Sequence, residues 1–147
     1  MFKYKLEPIL NLKEKMEDNK KRELGLANQL YERAKTEKAK LVEARNKAYE
    51  EAKMQNSNRV NIEHLKQLNQ YLNYMKQEIH HKEQEVIKAS IKVDEKRNEL
   101  IEAVKERKIL ENLKEIKLEE YKEEETKKEN NIIDEIVTYK YGLSKKE

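Results

Sequence analysis

Apolar side chains return every seven residues through the middle of this chain. The positions are Leu65, Leu72, Ile79, Val86, Val93 and Leu100, with Leu68, Met75 and Ala89 at alternate places between them. A seven-residue period keeps one apolar stripe on the same side of a slightly supercoiled helix. Such a stripe leaves water only by lying along another helix, so the pattern predicts one helix of a coiled coil. We call this buried stripe the seam.

The composition favours a thin seam over a rounded core. Only 36% of the 147 residues are hydrophobic, against 43% charged. The chain therefore has too few apolar residues for a conventional globular interior. Cysteine is absent, which excludes disulfides and thiolate zinc sites and fits a reducing compartment. No apolar run approaches the roughly 20 residues that a membrane span needs. We therefore expect an all-α, cytoplasmic protein.

The first third of the chain predicts a second helix, beginning at about Pro8, because a first helical turn tolerates the missing backbone donor of proline. Its apolar positions form a helical stripe whose later half is dominated by small residues. They are Met16, Leu24, Ala27, Leu30 or Tyr31, Ala34, Leu41, Ala44, Ala48 and Ala52. This helix is the expected partner of the seam.

A polar stretch from Gln55 to Asn61 separates the two helices. Its short polar side chains compete for backbone hydrogen bonds and favour turns and helix starts. We place a reversal of the chain there, although neither Pro nor Gly enforces it and one continuous helix is the alternative. The predicted segments are a first helix over 1–56, a turn over 57–61, a second helix over 62–117 and an overhang over 118–147.

A reversal near residues 57 to 60 brings small side chains opposite large ones. Ala44 would lie near Leu72, Ala48 near Leu68 or Tyr71, and Leu41 near Met75. An alanine-lined helix gains more from a leucine-lined partner than from its own copy. The sequence thus predicts a long antiparallel two-helix coiled-coil hairpin within one chain, in preference to a parallel homodimer.

The overhang carries an apolar stripe of its own. Ile132, Ile136, Tyr139 and Leu143 follow one another at spacings of four, three and four residues, and Gly142 is a candidate helix stop. By the predicted pairing no part of the first helix reaches this stripe. It therefore indicates a binding surface for another protein.

Residues for catalysis or metal binding are not found in a recognisable arrangement. The sequence has no glycine-rich phosphate loop, no nucleophile elbow and no Ser set beside a base. His80 and His81 are adjacent, whereas a metal site with two histidines on one helix needs one turn between its ligands. His81 and Glu85 have that spacing. Two exposed histidines are nevertheless the simpler interpretation. We expect no enzymatic activity, no cofactor and no bound metal.

Tyr49, Tyr71 and Tyr74 lie beside the predicted seam, with Tyr49 and Tyr71 nearly opposite each other across the hairpin. Exposed aromatic residues are enriched in interface hot spots, so these tyrosines are candidates for a docking surface. The alternative is that their rings cover the alanine-lined part of the seam.

Three stretches resemble the FliJ family, the small coiled-coil proteins of the bacterial flagellar export apparatus. Residues 103–115 match the pattern A-x-x-E-R-K-x-L-E-x-L-K-E, and the opening residues 2–10 and residues 133–135 are similar to the same family. The resemblance implies an antiparallel coiled coil that inserts its terminal end into a hexameric export ATPase. It also implies contact with the membrane export gate, peripheral association with the cell membrane, and escort of export chaperones.

Carried onto this sequence, the resemblance assigns the ATPase-facing end to Ile9, Arg107, Leu110, Glu111, Leu113, Asp134 and Glu135, beside the overhang stripe of Ile132, Ile136 and Tyr139. It assigns the gate contact to Tyr49, Tyr71 and Met75, with Tyr74 beside them.

Three alternatives remain at this stage. Residues 1–60 hold 15 basic and 10 acidic side chains, so a nucleic-acid-binding arm is one. Glutamates interleaved among the lysines break up any continuous positive stripe, so we expect no nucleic acid. The others are a structural homodimer of continuous helices and the equivalent stalk of a virulence-type export system.

Overall fold

The computed structural model describes residues 1–55 and 61–146. These residues form two long helices that pack against each other, α1 (Glu7–Gln55) and α2 (Ile62–Lys146), and the described residues contain no strand. They divide into two units. The terminal unit is Met1–Glu17 with Glu102–Glu147, and the hairpin unit is Asp18–Ile101.

Both helix starts follow from local sequence. At the start of α1 the amide of Leu10 donates to the carbonyl of Leu6 at 2.9 Å, and Glu7 places a carboxylate in the first turn. At the start of α2 the side chain of Asn61 accepts a hydrogen bond from the amide of Glu63 at 3.1 Å, which is the contact of an N-cap. Residues 57–60 of the predicted turn lie outside the described residues.

The two helices are antiparallel in each unit. In the hairpin unit, Lys20 pairs with Glu99, Lys38 with Glu83, and Gln55 with His64, so partners on α2 come earlier as positions on α1 come later. In the terminal unit, Glu7 pairs with Lys114 and Lys13 with Glu106 in the same sense. The predicted antiparallel hairpin is confirmed.

The predicted seam of α2 is also confirmed. All nine of its apolar residues from Leu65 to Leu100 are buried or half-buried, and Met75 and Val93 are the most enclosed. On α1 the buried apolar residues are Leu10, Ala27 and Ala34. Met16 was wrong, because it is exposed, and of the alternatives Leu30 and Tyr31 only Leu30 is exposed.

The seam of α1 continues toward its start through charged residues. Counting back from Leu24 in steps of four and three leads to Lys20, Glu17, Lys13 and Leu10, each of which is buried or half-buried. Glu17, not Met16, lies in the seam, with only 6% of its surface exposed. Of the alternatives Leu30 and Tyr31, Tyr31 is the seam residue, because it is half-buried and Leu30 is exposed. A search for apolar residues missed Glu17 because the seam residue is charged.

Gly142 does not end α2, which continues to Lys146. A glycine inside a helix costs only about 1 kcal/mol relative to alanine, which one residue in so long a helix tolerates.

Charged residues of the two helices pair reciprocally in the hairpin unit. Lys20 donates to Glu99 at 3.2 Å, while Lys96 donates to both Glu23 at 3.2 Å and Glu99 at 3.4 Å. Lys82 donates to Glu37 at 2.9 Å, and Lys38 pairs with Glu83. These pairs connect the two helices of the hairpin unit.

The same pairs shift the pKa of the charged groups. The hydrogen bond from Lys96 lowers the pKa of Glu23, that from Lys82 lowers the pKa of Glu37, and that from Lys20 lowers the pKa of Glu99. The pKa of Lys20 is raised by its hydrogen bond to Glu99. Each shift favours the charged form in the folded protein.

We expect replacement of Leu10 by alanine to lower the free energy of unfolding by about 2–4 kcal/mol, because Leu10 is 3% exposed and its loss leaves a gap in the seam. Leu12 is the matched control: it lies two residues away and is 55% exposed, so Leu12→Ala should change stability by less than about 0.5 kcal/mol. Denaturant unfolding followed by circular dichroism measures both, and equal losses would contradict the assigned seam.

We expect stability to fall in acid because the pKa values of Glu23, Glu37 and Glu99 lie below the ordinary 4.5 in the folded state. The unfolded chain then binds more protons, so this contribution is complete above about pH 4.5 and is lost as the pH falls through the lowered folded values. Tm measured between pH 7 and 3 should decline less steeply in the variant E23Q/E37Q/E99Q. The variant E123Q/E124Q/E125Q, altered in the exposed part of α2, should keep the parent's decline. Parallel curves for the parent and the first variant would refute the linkage.

Candidate partner-binding surfaces

The opening residues of the chain pack on α2 within the terminal unit. The rings of Phe2 and Tyr121 lie 5.6 Å apart between centroids, and the hydroxyl of Tyr4 donates to the carbonyl of Leu110 at 2.9 Å. Leu113 is half-buried and lines the same groove as residues 1–6. Leu110, through its backbone carbonyl, and Leu113 were both predicted to face a partner, and both lie beside the opening segment.

Arg107 faces the seam. It pairs with Glu17 across the helices and with Glu111 at 2.7 Å along α2. The hydrogen bonds to Glu111 and Glu17 raise the pKa of Arg107, so the guanidinium stays charged although only 21% of the side chain is exposed. Arg107 and Glu111 thus have partners within the hairpin.

Ile9 is one of several exposed apolar residues of the terminal unit. On α1, Ile9, Leu12 and Met16 are spaced three and four residues apart and share one helix face. On α2, Ile109 and Ile116 are exposed one heptad apart. Sequence reasoning identified only Ile9 of these. The signal that marks the others is an apolar residue at a position that the seam spacing leaves outside.

The far part of α2 is exposed throughout, from residue 122 to residue 143. It carries a broad apolar surface formed by Ile132, Ile133, Ile136, Val137, Tyr139, Tyr141 and Leu143. Asp134 and Glu135 lie with Tyr139 along one shallow groove of this segment. The structure thus brings together the predicted residues of the overhang, and adds Ile133, Val137 and Tyr141. We call residues 122–143 the exposed helix.

The tyrosines of the hairpin unit lie as predicted on the surface. Tyr49, Tyr71 and Tyr74 are each exposed over more than two fifths of their area. Tyr71 also lines a groove with Ala48, Leu68 and neighbouring residues, which agrees with the predicted meeting of Ala48, Leu68 and Tyr71. Met75 is different: it is 4% exposed and packs in the seam, where a partner has no access to it.

Neither surface has the arrangement of a metal centre. The rings of His80 and His81 lie 6.5 Å apart, and across the described residues no three His, Cys, Asp or Glu side chains come together as metal ligands. Nor does any helix in the described ranges combine the length and the apolar character of a membrane span.

Comparison with known proteins yields a family and a fold. Residues 2–146 match the family described as "Flagellar FliJ protein". Among solved structures, a proposed YscO homologue, CT670 from Chlamydia trachomatis, superposes with a TM-score of 0.58 at 22% identity. That match covers 100% of this chain and 99% of the other, and at this identity it supports the fold alone. None of the curated proteins matches significantly.

Proposed function

The chain belongs to the FliJ family, and from that premise we propose that it is a stalk which joins a hexameric export ATPase to the membrane export gate. Membership of the family supports a coiled-coil component of type III protein export, and the proposed stalk acts without catalysis. The proposal adds which surfaces bind which partner.

The exposed helix is the proposed ATPase-binding element. The observation that carries this assignment is its apolar surface around Ile132, Ile136 and Tyr139, which the described part of α1 does not cover. Contiguous exposed apolar residues of this kind mark protein interaction sites. Asp134 and Glu135 border this surface and supply charge at its rim, where charged residues direct association.

Residues near the start of α1 extend the proposed ATPase-binding surface. Ile9 is exposed, and Ile109 and Ile116 offer further apolar area in the same unit. Leu110 and Leu113 act indirectly, by holding the opening segment in place. Arg107 and Glu111 act through the ion pair with Glu17, so we assign them to alignment of the helices and not to direct contact with the ATPase.

The tyrosines of the hairpin unit are the proposed contact with the gate. Tyr49, Tyr71 and Tyr74 offer exposed aromatic area at low conformational cost, which is what interface hot spots require. Export chaperones are further candidate partners of the chain. Association with the membrane is peripheral in this proposal and occurs through the gate, with the protein itself on the cytoplasmic side.

We expect Ile136→Asp to reduce capture of the export ATPase at least tenfold, because it places a charge in the middle of the apolar surface. Thr126→Asp adds the same charge to an exposed threonine of the same helix, ahead of the apolar surface and outside the groove of Asp134 and Glu135, and should bind nearly as the parent does. Circular dichroism establishes that both variants keep their helices, and binding is measured with the purified ATPase hexamer. An Ile136→Asp variant that binds like the parent would remove the exposed helix from the interface.

We expect Tyr71→Ala and Tyr74→Ala each to weaken binding to the cytoplasmic part of the gate protein by about tenfold, as truncation of an aromatic hot spot does. Asn73→Ala, on an exposed residue between them, is the control. Binding is measured by titration calorimetry, and unchanged affinity in both tyrosine variants would exclude this surface as the gate contact.

A further inference from the structure

The seam contains charged residues at positions that a coiled coil ordinarily fills with apolar ones. Glu17 is 6% exposed and pairs with Arg107, whose side chain also lies largely out of solvent. Lys20 and Lys96 hold further seam positions, and each reaches a glutamate of the other helix. A buried ion pair stabilises little relative to well-packed apolar residues, so stability alone does not explain this arrangement.

An apolar seam by itself does not define how far one helix is shifted along the other. Because the seam repeats every seven residues, a shift of one heptad again places apolar side chains opposite apolar side chains. The polar stretch between the helices contains neither Pro nor Gly, so its sequence does not fix where the chain reverses. Some other feature must select one alignment.

A shift in one direction breaks the ion pairs of both units. Within the terminal unit it places Arg107 where Lys114 now lies, so Arg107 exchanges Glu17 for Glu7, while Glu17 loses Arg107 and Lys114 loses Glu7. Within the hairpin unit it places Lys20 at the level of Lys92, which sets like charges against each other. Burying an unpaired charge is strongly unfavourable, so this alignment is rejected.

A shift in the other direction is also penalised. In the hairpin unit Lys96 moves from Glu23 to the level of Leu30. In the terminal unit Lys13 moves from Glu106 to the level of Leu113. The penalty therefore falls on both shifted alignments, whereas the apolar seam residues accept all three.

We propose that the charged seam residues, Glu17 with Arg107 and Lys20 with Lys96, select the alignment of α1 on α2. They act through the cost of the wrong alignments; in the right one, the stability that their pairs contribute is no greater than what well-packed leucines would supply at the same positions. A single polar residue at a seam position is known to fix the register of coiled coils at some cost in stability. The alignment in turn decides which residues of α2 the opening segment covers, since Phe2 meets Tyr121 only in this register.

The test replaces all four residues by leucine, in the variant E17L/K20L/K96L/R107L. Because the chain has no cysteine, two introduced cysteines carry spin labels at Asn11 and Lys122, exposed residues of the terminal unit. Pulsed electron resonance gives the distribution of the distance between the labels. A shift of one heptad displaces the labels along the helix by about 10 Å, which the method resolves.

We expect the parent to give one narrow distribution. The four-leucine variant should keep or exceed the parent's Tm and should show at least one further population, displaced by about 10 Å along the helix. The swap E17R/R107E, made with Lys20 and Lys96 unchanged, exchanges the charges of one pair and should keep the narrow distribution of the parent. The control D94A/R97A/E102A/K105A removes charges that pair within α2 and should leave the distribution unchanged.

Two results would overturn the proposal. One is a folded four-leucine variant with the parent's single narrow distribution, which would mean that the apolar seam selects the alignment. The other is a four-leucine variant with a lower Tm, which would mean that the charges serve stability. The distance distribution is measured on the isolated protein, so the outcome is independent of which partners the exposed surfaces bind.

Discussion

The pairing of α1 with α2 depends on a seam only one or two side chains wide. Among the described residues, the buried apolar ones are Leu10, Ala27, Ala34, Met75 and Val93, and the other apolar residues of the seam remain half-exposed. A core this thin supplies little that is specific to one alignment, since alanine and leucine repeat along it. Charged residues placed within the seam and beside it add that specificity, because a shift by one heptad in either direction separates several of them from their partners.

The thin seam also explains why so much apolar surface faces outward. Two helices cover only one stripe of each other, so apolar residues outside that stripe stay exposed unless a partner covers them. In the terminal unit these residues are Ile9, Ile109 and the apolar face of the exposed helix; in the hairpin unit they include the three tyrosines. Membership of the FliJ family places such surfaces in the setting of protein export.

The sequence predicted the fold well because heptads report helix pairing directly. The seam of α2, the antiparallel hairpin, and the exposure of Ile132, Ile136 and Tyr139 all follow from apolar spacing. Apolar spacing failed where the seam residue is charged, so Met16 was preferred to Glu17. The assignment of Arg107 to a partner came from the resemblance to the family, which does not show that Arg107 pairs with Glu17 and Glu111 within the chain. The burial of Met75 was implicit in its heptad position, but resemblance to the family suggested a surface role. Ion pairs between helices depend on the register, which propensity and periodicity do not supply.

The central claim is that one chain folds back on itself, and a distance within a single molecule tests it most directly. Lys47 and Gln67 are exposed and line one groove of the hairpin unit, so spin labels at these positions report the pairing. The account predicts a short distance that persists when labelled protein is mixed with a large excess of unlabelled protein before refolding. A short distance that disappears on dilution would show pairing between chains, and a long distance at every ratio would show an unpaired helix; either contradicts the hairpin.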